Sequence, residues 1–187
     1  KGKAIDIRTT SDAIKAGLAL IPRDRRANGL VMDMNIKENI TLACLRNLCT
    51  MGIVNNHQEV EMSDSFIHSL RIRCAASNQL VRYLSGGNQQ KVVVSKWLAA
   101  QTNILVMDEP TSGVDVGAKA EIYRILGDLL KNGMAAILIS TDLSEILHLS
   151  DHVLVMRHGG IVFSAATRDV TSEILLQHAM KGDAENR

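Results

Sequence analysis

The sequence predicts an α/β fold: a parallel sheet with helices between its strands, split by an inserted helical segment. Three observations carry this. Residues 18–21, 104–107 and 135–140 are short, unbroken apolar runs, the pattern of strands buried in a parallel sheet. From Gln89 onward such runs alternate with stretches of helical periodicity. Between Ile36 and Tyr83 the apolar period is predominantly helical, which divides the α/β pattern in two.

The elements follow in order. Residues 1–7 have the look of a strand end, and Ser11 and Asp12 are placed to cap a short helix through Ala16. Residues 18–21 are a strand stopped by Pro22. The run Arg23, Asp24, Arg25, Arg26 reads as a charged, solvated turn. Asn35 caps a helix carrying Ile36, Ile40, Ala43 and Leu48, with Glu38 three residues past the cap. Residues 52–56 interrupt it. A second helix over residues 58–73 is expected to bury Val60, Met62, Phe66, Ile67 and Leu70. Residues 75–83 are a looser approach to Leu84. An amphipathic helix covers residues 89–100, and a strand covers 103–107. Residues 118–131 form a helix with Ile122, Ile125, Leu126 and Leu129 on one face, ended by Asn132 and Gly133. Residues 135–140 are another buried strand. Asp142 and Glu145 are a capping pair for a helix to Leu149. Residues 152–156 and 160–164 are two strands around a turn at Gly159 and Gly160, and Thr171 caps a last helix to Met180.

The 187 residues suffice for one domain with a sizeable core, and a net charge of +1 argues against a surface built to coat nucleic acid. Aromatic content is 3%, few platforms on which bases could stack. The apolar runs are too short to span a bilayer, and no signal-peptide pattern opens the chain. It begins at Lys1, as a processed product or a fragment would. Cys44, Cys49 and Cys74 share no ligand spacing, which suits a reducing compartment.

Two stretches carry chemistry. Residues 84–91 read Leu-Ser-Gly-Gly-Asn-Gln-Gln-Lys, just before the helical run from Gln89. A helix N-terminus offers N–H groups without acceptors and the positive end of the helix dipole, and glycines let a phosphate come close to the backbone. The alternative is a plain Ser85 N-cap on a surface helix. The second stretch is residues 104–107, which end in Asp108, Glu109 and Pro110. Carboxylates at the C-terminal end of such a strand stand where open α/β sheets bind ligands. A polar strand end entering a turn explains one acid easily and two acids less well.

Together these residues resemble the ATP-binding cassette (ABC) ATPases. Leu84, Ser85, Gly86 and Gly87 look like the signature motif, residues 104–109 like the Walker B strand, and residues 109–115 like the stretch through the D-loop. Asn88 to Val92 and Asp115 to Lys119 are similar to the second ATPase domain of simple-sugar importers of the ribose, galactose, xylose and arabinose type. So is the Gly-x-x-x-x-Pro-x-Asp-Arg-x-x-x-Gly-Leu arrangement of residues 17–30. The resemblance covers about residues 3–180 and implies a P-loop NTPase fold working on ATP and Mg²⁺. Asp108 would position Mg²⁺, and Glu109 would polarise the attacking water. Ser85, Gly86 and Gly87 would cap the γ-phosphate of ATP held by a second ATPase domain, with Asn88 and Gln89 among the nucleotide-binding residues. Asp115 would line the same interface or simply cap its helix.

The chain contains no Gly-x-x-x-x-Gly-Lys-Ser/Thr phosphate loop. The resemblance places that loop, with the first strands, N-terminal to the region where the chain starts. Residues 1–35 would then end the N-terminal lobe, 36–83 form the helical subdomain, and 84–187 complete the core. Arg23 stands at the family's Q-loop position, where a cation is a poor neighbour for Mg²⁺. Thr141 stands at the position of the switch histidine. The implied setting is peripheral, on the cytoplasmic face of the inner membrane. The implied partners are permease subunits, touched through residues 23–28 and 36–83, and indirectly a periplasmic sugar-binding protein; no nucleic acid is expected. Alternatives are a non-catalytic partner subunit, a truncated inactive remnant, and a DNA-repair-type ABC ATPase, whose long coiled coil is not present in the sequence.

Overall fold

A computed structural model describes residues 4–180. They form two compact units, one up to Ile139 and one from Ser140 onward.

The first unit is built around a parallel sheet. Its first helix, α1 (Thr10–Lys15), is capped two residues earlier than Ser11. Thr9 is the N-cap, and its hydroxyl and the Asp12 carboxylate bond reciprocally to each other's backbone N–H. Residues 4–7 form no strand; residues 1–3 of that expected strand end lie outside the described residues. Strand β1 (Leu18–Ile21) follows, and then a π-helical turn, Arg25–Gly29, capped by the Asp24 carboxylate on the N–H groups of Arg26 and Ala27. The expected solvated charged turn is therefore ordered, and Arg25 within it is buried.

The helical segment opens with α2 (Ile36–Thr41), where Asn35 and Glu38 form the expected capping box, and runs on as 3₁₀ helix through Leu48. A small hairpin of β2 (Cys49–Thr50) and β3 (Ile53–Val54) leads to α3 (Asn56–Ser69). The face that α3 buries most deeply differs from the expected one. Glu59 and Ser63 are buried, while Val60, Met62, Phe66 and Ile67 are only half-buried. Glu59 is stable there because it pairs with Lys37 and accepts from the Thr41 hydroxyl at 2.9 Å. A buried carboxylate is tolerable when it is paired and hydrogen-bonded.

Helix α4 (Gly86–Ala99) is the centre of this unit. It was expected to be amphipathic; instead it is buried nearly all round and packs on α2, β1 and α5 (Val116–Lys131). Several of its polar side chains are bonded locally, while Gln90 Nε2 and Trp97 Nε1 are buried without a hydrogen bond. The Ser95 hydroxyl donates to the Lys91 carbonyl at 2.8 Å, and the Lys96 ammonium donates to the Gly29 carbonyl at 2.6 Å. Burial holds the Lys96 ammonium below its ordinary pKa.

Strand β4 (Ile104–Asp108) lies between β1 and β5 (Ala135–Ile139), parallel to both, with Leu20, Val106 and Ile137 in register. The period-2 alternation of strands splits the side chains between two faces. Ala19, Ile21, Leu105 and Met107 are buried with α4 on one face. On the other, Leu20, Ile137 and Ile139 are each more than half exposed. So β5 is not the strand buried on both faces that its sequence suggests. An apolar run reports what a strand can bury, not what is present to bury it.

In the second unit, α6 (Leu143–Leu149) is capped by Asp142. Glu145 is fully buried and takes a hydrogen bond from the Ser140 hydroxyl. Strands β6 (His152–Arg157) and β7 (Gly160–Ala166) form an antiparallel hairpin with an irregularity between Val155 and Met156, and α7 (Ser172–Met180) packs on it. Among the described residues no helix is long and apolar enough to cross a membrane.

The two sheet faces predict different costs for similar truncations. Leu105→Ala should destabilise by about 2–5 kcal/mol, and Ile137→Thr by no more than about 0.5 kcal/mol. Urea unfolding of the two variants measures this.

Candidate functional site

The first turn of α4 and the first turn of α5 together line a concave site of about 310 Å³. Ser85, Gly87 and Asn88 form one wall; Asp115, Gly117, Ala118 and Glu121 form the other, with Arg73 at the edge. Ser85 is the N-cap of α4, with extended backbone, but its hydroxyl caps no helix N–H. That hydroxyl instead accepts from the Asn88 amide at 2.9 Å. The Asn88 carbonyl oxygen accepts from the Arg73 backbone N–H at 2.9 Å, which ties the segment before the motif to the helix start. The early N–H groups of a helix have no intrahelical acceptors, so this wall is a donor surface.

The walls stand close because Gly87 has no side chain. A Cβ there would lie 2.6 Å from the Ala118 Cβ. One turn further along, Lys91 is 2% exposed and its ammonium reaches the Glu121 carboxylate and the Arg71 carbonyl, both at 2.9 Å. The hydrogen bond from Lys91 holds the Glu121 carboxyl below its ordinary pKa, and Arg124 and Arg73 add to this. On the second wall Asp115 caps α5, accepting from the Ala118 N–H at 2.9 Å.

The other expected site residues go elsewhere. Asp108 and Glu109 stand half-buried at the C-terminal end of β4 and do not line this concavity. Glu109 has φ 45°, in the left-handed region, with its N–H on the Ile139 carbonyl at 2.8 Å and its carbonyl on the Ser112 N–H at 2.9 Å. For a residue with a Cβ this backbone costs on the order of 1–3 kcal/mol and persists because neighbouring bonds hold it. Gln89 is fully buried, donating to the Val81 carbonyl at 3.3 Å and accepting from Arg26 at 3.4 Å. It anchors the helix from inside and does not form part of the site wall. Gly86 also stands off the wall, against the Arg25 guanidinium. Arg23 is exposed and lines a second hollow of about 300 Å³ with Asp24, Arg25, Arg26 and Ser112. Thr141 lies in the second unit, immediately before the cap of α6.

Sequence reasoning passed over Arg25, Arg73 and Glu121. A signal for Glu121 existed, since it falls on the same turn of α5 as the buried Ile122. Arg25 is the arginine of the Pro-x-Asp-Arg arrangement in residues 17–30, a signal that set it apart from Arg23 and Arg26 but not what it contacts; Arg73 precedes the signature by a loop whose course the sequence does not show.

Comparison with known proteins follows the same lines. Residues 1–112 match the ABC transporter family. A ribose import ATP-binding protein of Streptomyces coelicolor is 45% identical over 178 residues, and an arabinose import ATP-binding protein of Burkholderia pseudomallei is 40% identical over 181. These alignments take in 95% and 96% of this chain but 35% and 36% of those proteins. The chain thus spans about a third of the length of the curated relatives it matches. The solved structure of an ATP-binding cassette of an ABC transporter superposes with a TM-score of 0.72 at 19% identity, over 89% of this chain and 70% of that one, and shows the same fold.

The Lys91–Glu121 pair sets a pH dependence. A carboxylate with a depressed folded pKa stabilises fully above its unfolded value and loses that contribution as pH falls through the folded one. The pair's contribution should therefore be complete above pH 4.5, the ordinary value for Glu121, and fade below it. Glu121→Gln should lower stability near neutral pH by about 1–3 kcal/mol and flatten the fall below pH 4.5. Thermal melts of both proteins across that range measure it.

Proposed function

The chain belongs to the ABC transporter family, and from that membership we propose that it is part of a transport ATPase whose α4 start serves ATP held by another ATPase domain. The observation that carries this reading is the concavity of Ser85, Gly87, Asn88 and Asp115 at the starts of α4 and α5. Its donors suit a phosphate: helix N–H groups, the Ser85 hydroxyl and the Arg73 guanidinium at the edge. The two carboxylates nearby do not oppose an anion freely, because Glu121 is paired with Lys91 and Asp115 with the Ala118 N–H.

ATP supplies the phosphoryl group and Mg²⁺ offsets its charge. This chain's own residues would do the rest of the site's work. Ser85, Gly87 and Asn88 would donate to the terminal phosphate across an interface. Gly86 would let the backbone keep its course there, and Gln89 would hold α4 from below. Asp115 would line the interface while capping α5. At the end of β4, Asp108 presents oxygen donors that suit Mg²⁺ directly or through water. Glu109 would accept a proton from the attacking water, its direction set by the left-handed turn at its own backbone.

The relatives' names extend the proposal to simple-sugar import. The whole assembly would then include a second ATPase domain, permease subunits and, across the membrane, a sugar-binding protein, with this chain peripheral on the cytoplasmic side. Residues 23–28 and the helical segment 36–83 are the surfaces we assign to the permease. The division into residues 1–35, 36–83 and 84–187 belongs to the same proposal. On this reading a non-catalytic partner role differs only in whether Asp108 and Glu109 are used.

The purified chain should hydrolyse ATP no faster than buffer does. In complex with a partner ATPase domain that carries a phosphate loop, Ser85→Arg should lower turnover about 100-fold while the partner's ATP binding is unchanged. Turnover by the chain alone, abolished by Glu109→Gln, would contradict this reading.

A further inference from the structure

Arg25 makes the most unusual contact in the first unit. It sits in the π-helical turn Arg25–Gly29 and is 9% exposed. Its Nη1 donates to the Ser112 carbonyl at 2.8 Å and its Nη2 to the Gly113 carbonyl at 3.2 Å. Those carbonyls lie 87 and 88 positions away in sequence. The guanidinium also lies against Gly86: a Cβ there would be 2.6 Å from Nη2 and 3.0 Å from the Gly113 carbonyl oxygen. Gly86, Arg25 and Gly113 thus form a stack with no space for a side chain on Gly86.

Three segments meet at this one side chain. The first is the turn after β1, held from its other end by Asp24 on the N–H groups of Arg26 and Ala27. The second is the loop from Glu109 to Asp115, where Gly113 has φ +66°. The third is the start of α4. The last two supply the two walls of the concavity. Asp115, two residues after Gly113, caps α5, and Gly87, next to Gly86, touches Ala118.

We propose that Arg25 is a positioning residue that fixes the distance between the Ser85–Asn88 wall and the Asp115–Glu121 wall of the concavity. This rests on the phosphate reading of that site for its functional consequence, but not for its geometry. It also reassigns Gly86. In a phosphate motif a glycine is expected to admit the ligand; here the space it leaves admits a guanidinium. Only an arginine meets the requirement. Its planar fork can reach two successive carbonyls at once, whereas a lysine ammonium is a single point on a flexible stem. Arg23, exposed at the edge of the second hollow, has no comparable contact.

The test is nuclear magnetic resonance of the 187-residue chain and its Arg25→Lys, Arg25→Ala and Gly86→Ala variants. In the unsubstituted chain, Gly87 Hα should show a strong cross-relaxation contact with the Ala118 methyl. In Arg25→Lys that contact should weaken at least twofold. The amide nitrogens of Gly113 and Val114, which share peptide units with the two accepting carbonyls, should shift. Gly86→Ala should produce the same shifts with Arg25 in place, so a failure of the Arg25 variants to fold leaves a second route. In an Arg25→Ala background Gly86→Ala should add much less than it does with Arg25 in place, the remainder coming from its 3.0 Å approach to the Gly113 carbonyl oxygen. An unchanged Gly87–Ala118 contact in Arg25→Lys, or fully additive effects of the two sites, would overturn the proposal. Titration with inorganic pyrophosphate separates the two readings. Arg25→Lys should lower affinity at the Gly87 and Asn88 amides at least tenfold. Absence of pyrophosphate shifts in the unsubstituted chain would count against the phosphate reading and leave the ligand-free signals to decide the role of Arg25.

Discussion

The first turn of α4 meets the first turn of α5 with no room for a side chain between them. A Cβ on Gly87 would come within 2.6 Å of the Ala118 Cβ, closer than real Cβ contacts come. The concavity, its two walls and the Lys91–Glu121 pair all depend on that approach. The pair closes the contact one turn on, with the Lys91 ammonium almost wholly withdrawn from water. A buried ammonium without partners would cost several kcal/mol, so the pair requires α5 to be near and then keeps it there.

The same requirement explains why α4 is buried on nearly all sides although six of its 14 residues are polar. Most of its polar groups find partners within the unit, although Gln90 Nε2 and Trp97 Nε1 are buried without a hydrogen bond. Gln89 reaches the carbonyl that ends the helical segment, Lys96 reaches Gly29 beyond the π-helical turn, and Asn88 reaches the backbone of Arg73. These bonds tie α4 to the segments before it in the chain, and the Lys91–Glu121 pair ties it to α5 after it. The donor surface at Ser85 is therefore carried on a rigid element rather than on a loop. An anion site works best when its donors are fixed before the ligand arrives.

Local sequence rules placed those elements whose signals are local. Strand β1 begins and ends where its apolar run does, because Gly17 and Pro22 bound it. The α2 cap follows from Asn35 and Glu38, and the buried side of α5 from Ile122 and Leu126. The signature, Walker B and D-loop resemblances singled out Ser85, Asn88, Asp108, Glu109 and Asp115 as candidates, but did not say which of them share a wall. What escaped depends on distant partners. Arg25 stands in the Pro-x-Asp-Arg arrangement, but what it holds shows only once Ser112 and Gly113 are brought to it. Glu59 and Ser63 look solvent-facing until Lys37 and Thr41 pack against α3. The exposed Ile137 and Ile139 look like core until one asks what covers that face of the sheet. Periodicity describes a segment's capacity to bury; burial itself is settled by the rest of the fold.

The claim that α4 serves a neighbour's nucleotide is tested most directly by where a neighbour's γ-phosphate falls. A photoreactive group on the γ-phosphate of ATP, bound to an ABC ATPase domain that carries a phosphate loop, should label this chain when the two are mixed and illuminated. The account predicts that the label sits within residues 85–88 and disappears when the partner is omitted. Labelling that spares those residues, or that proceeds equally without the partner, would contradict it.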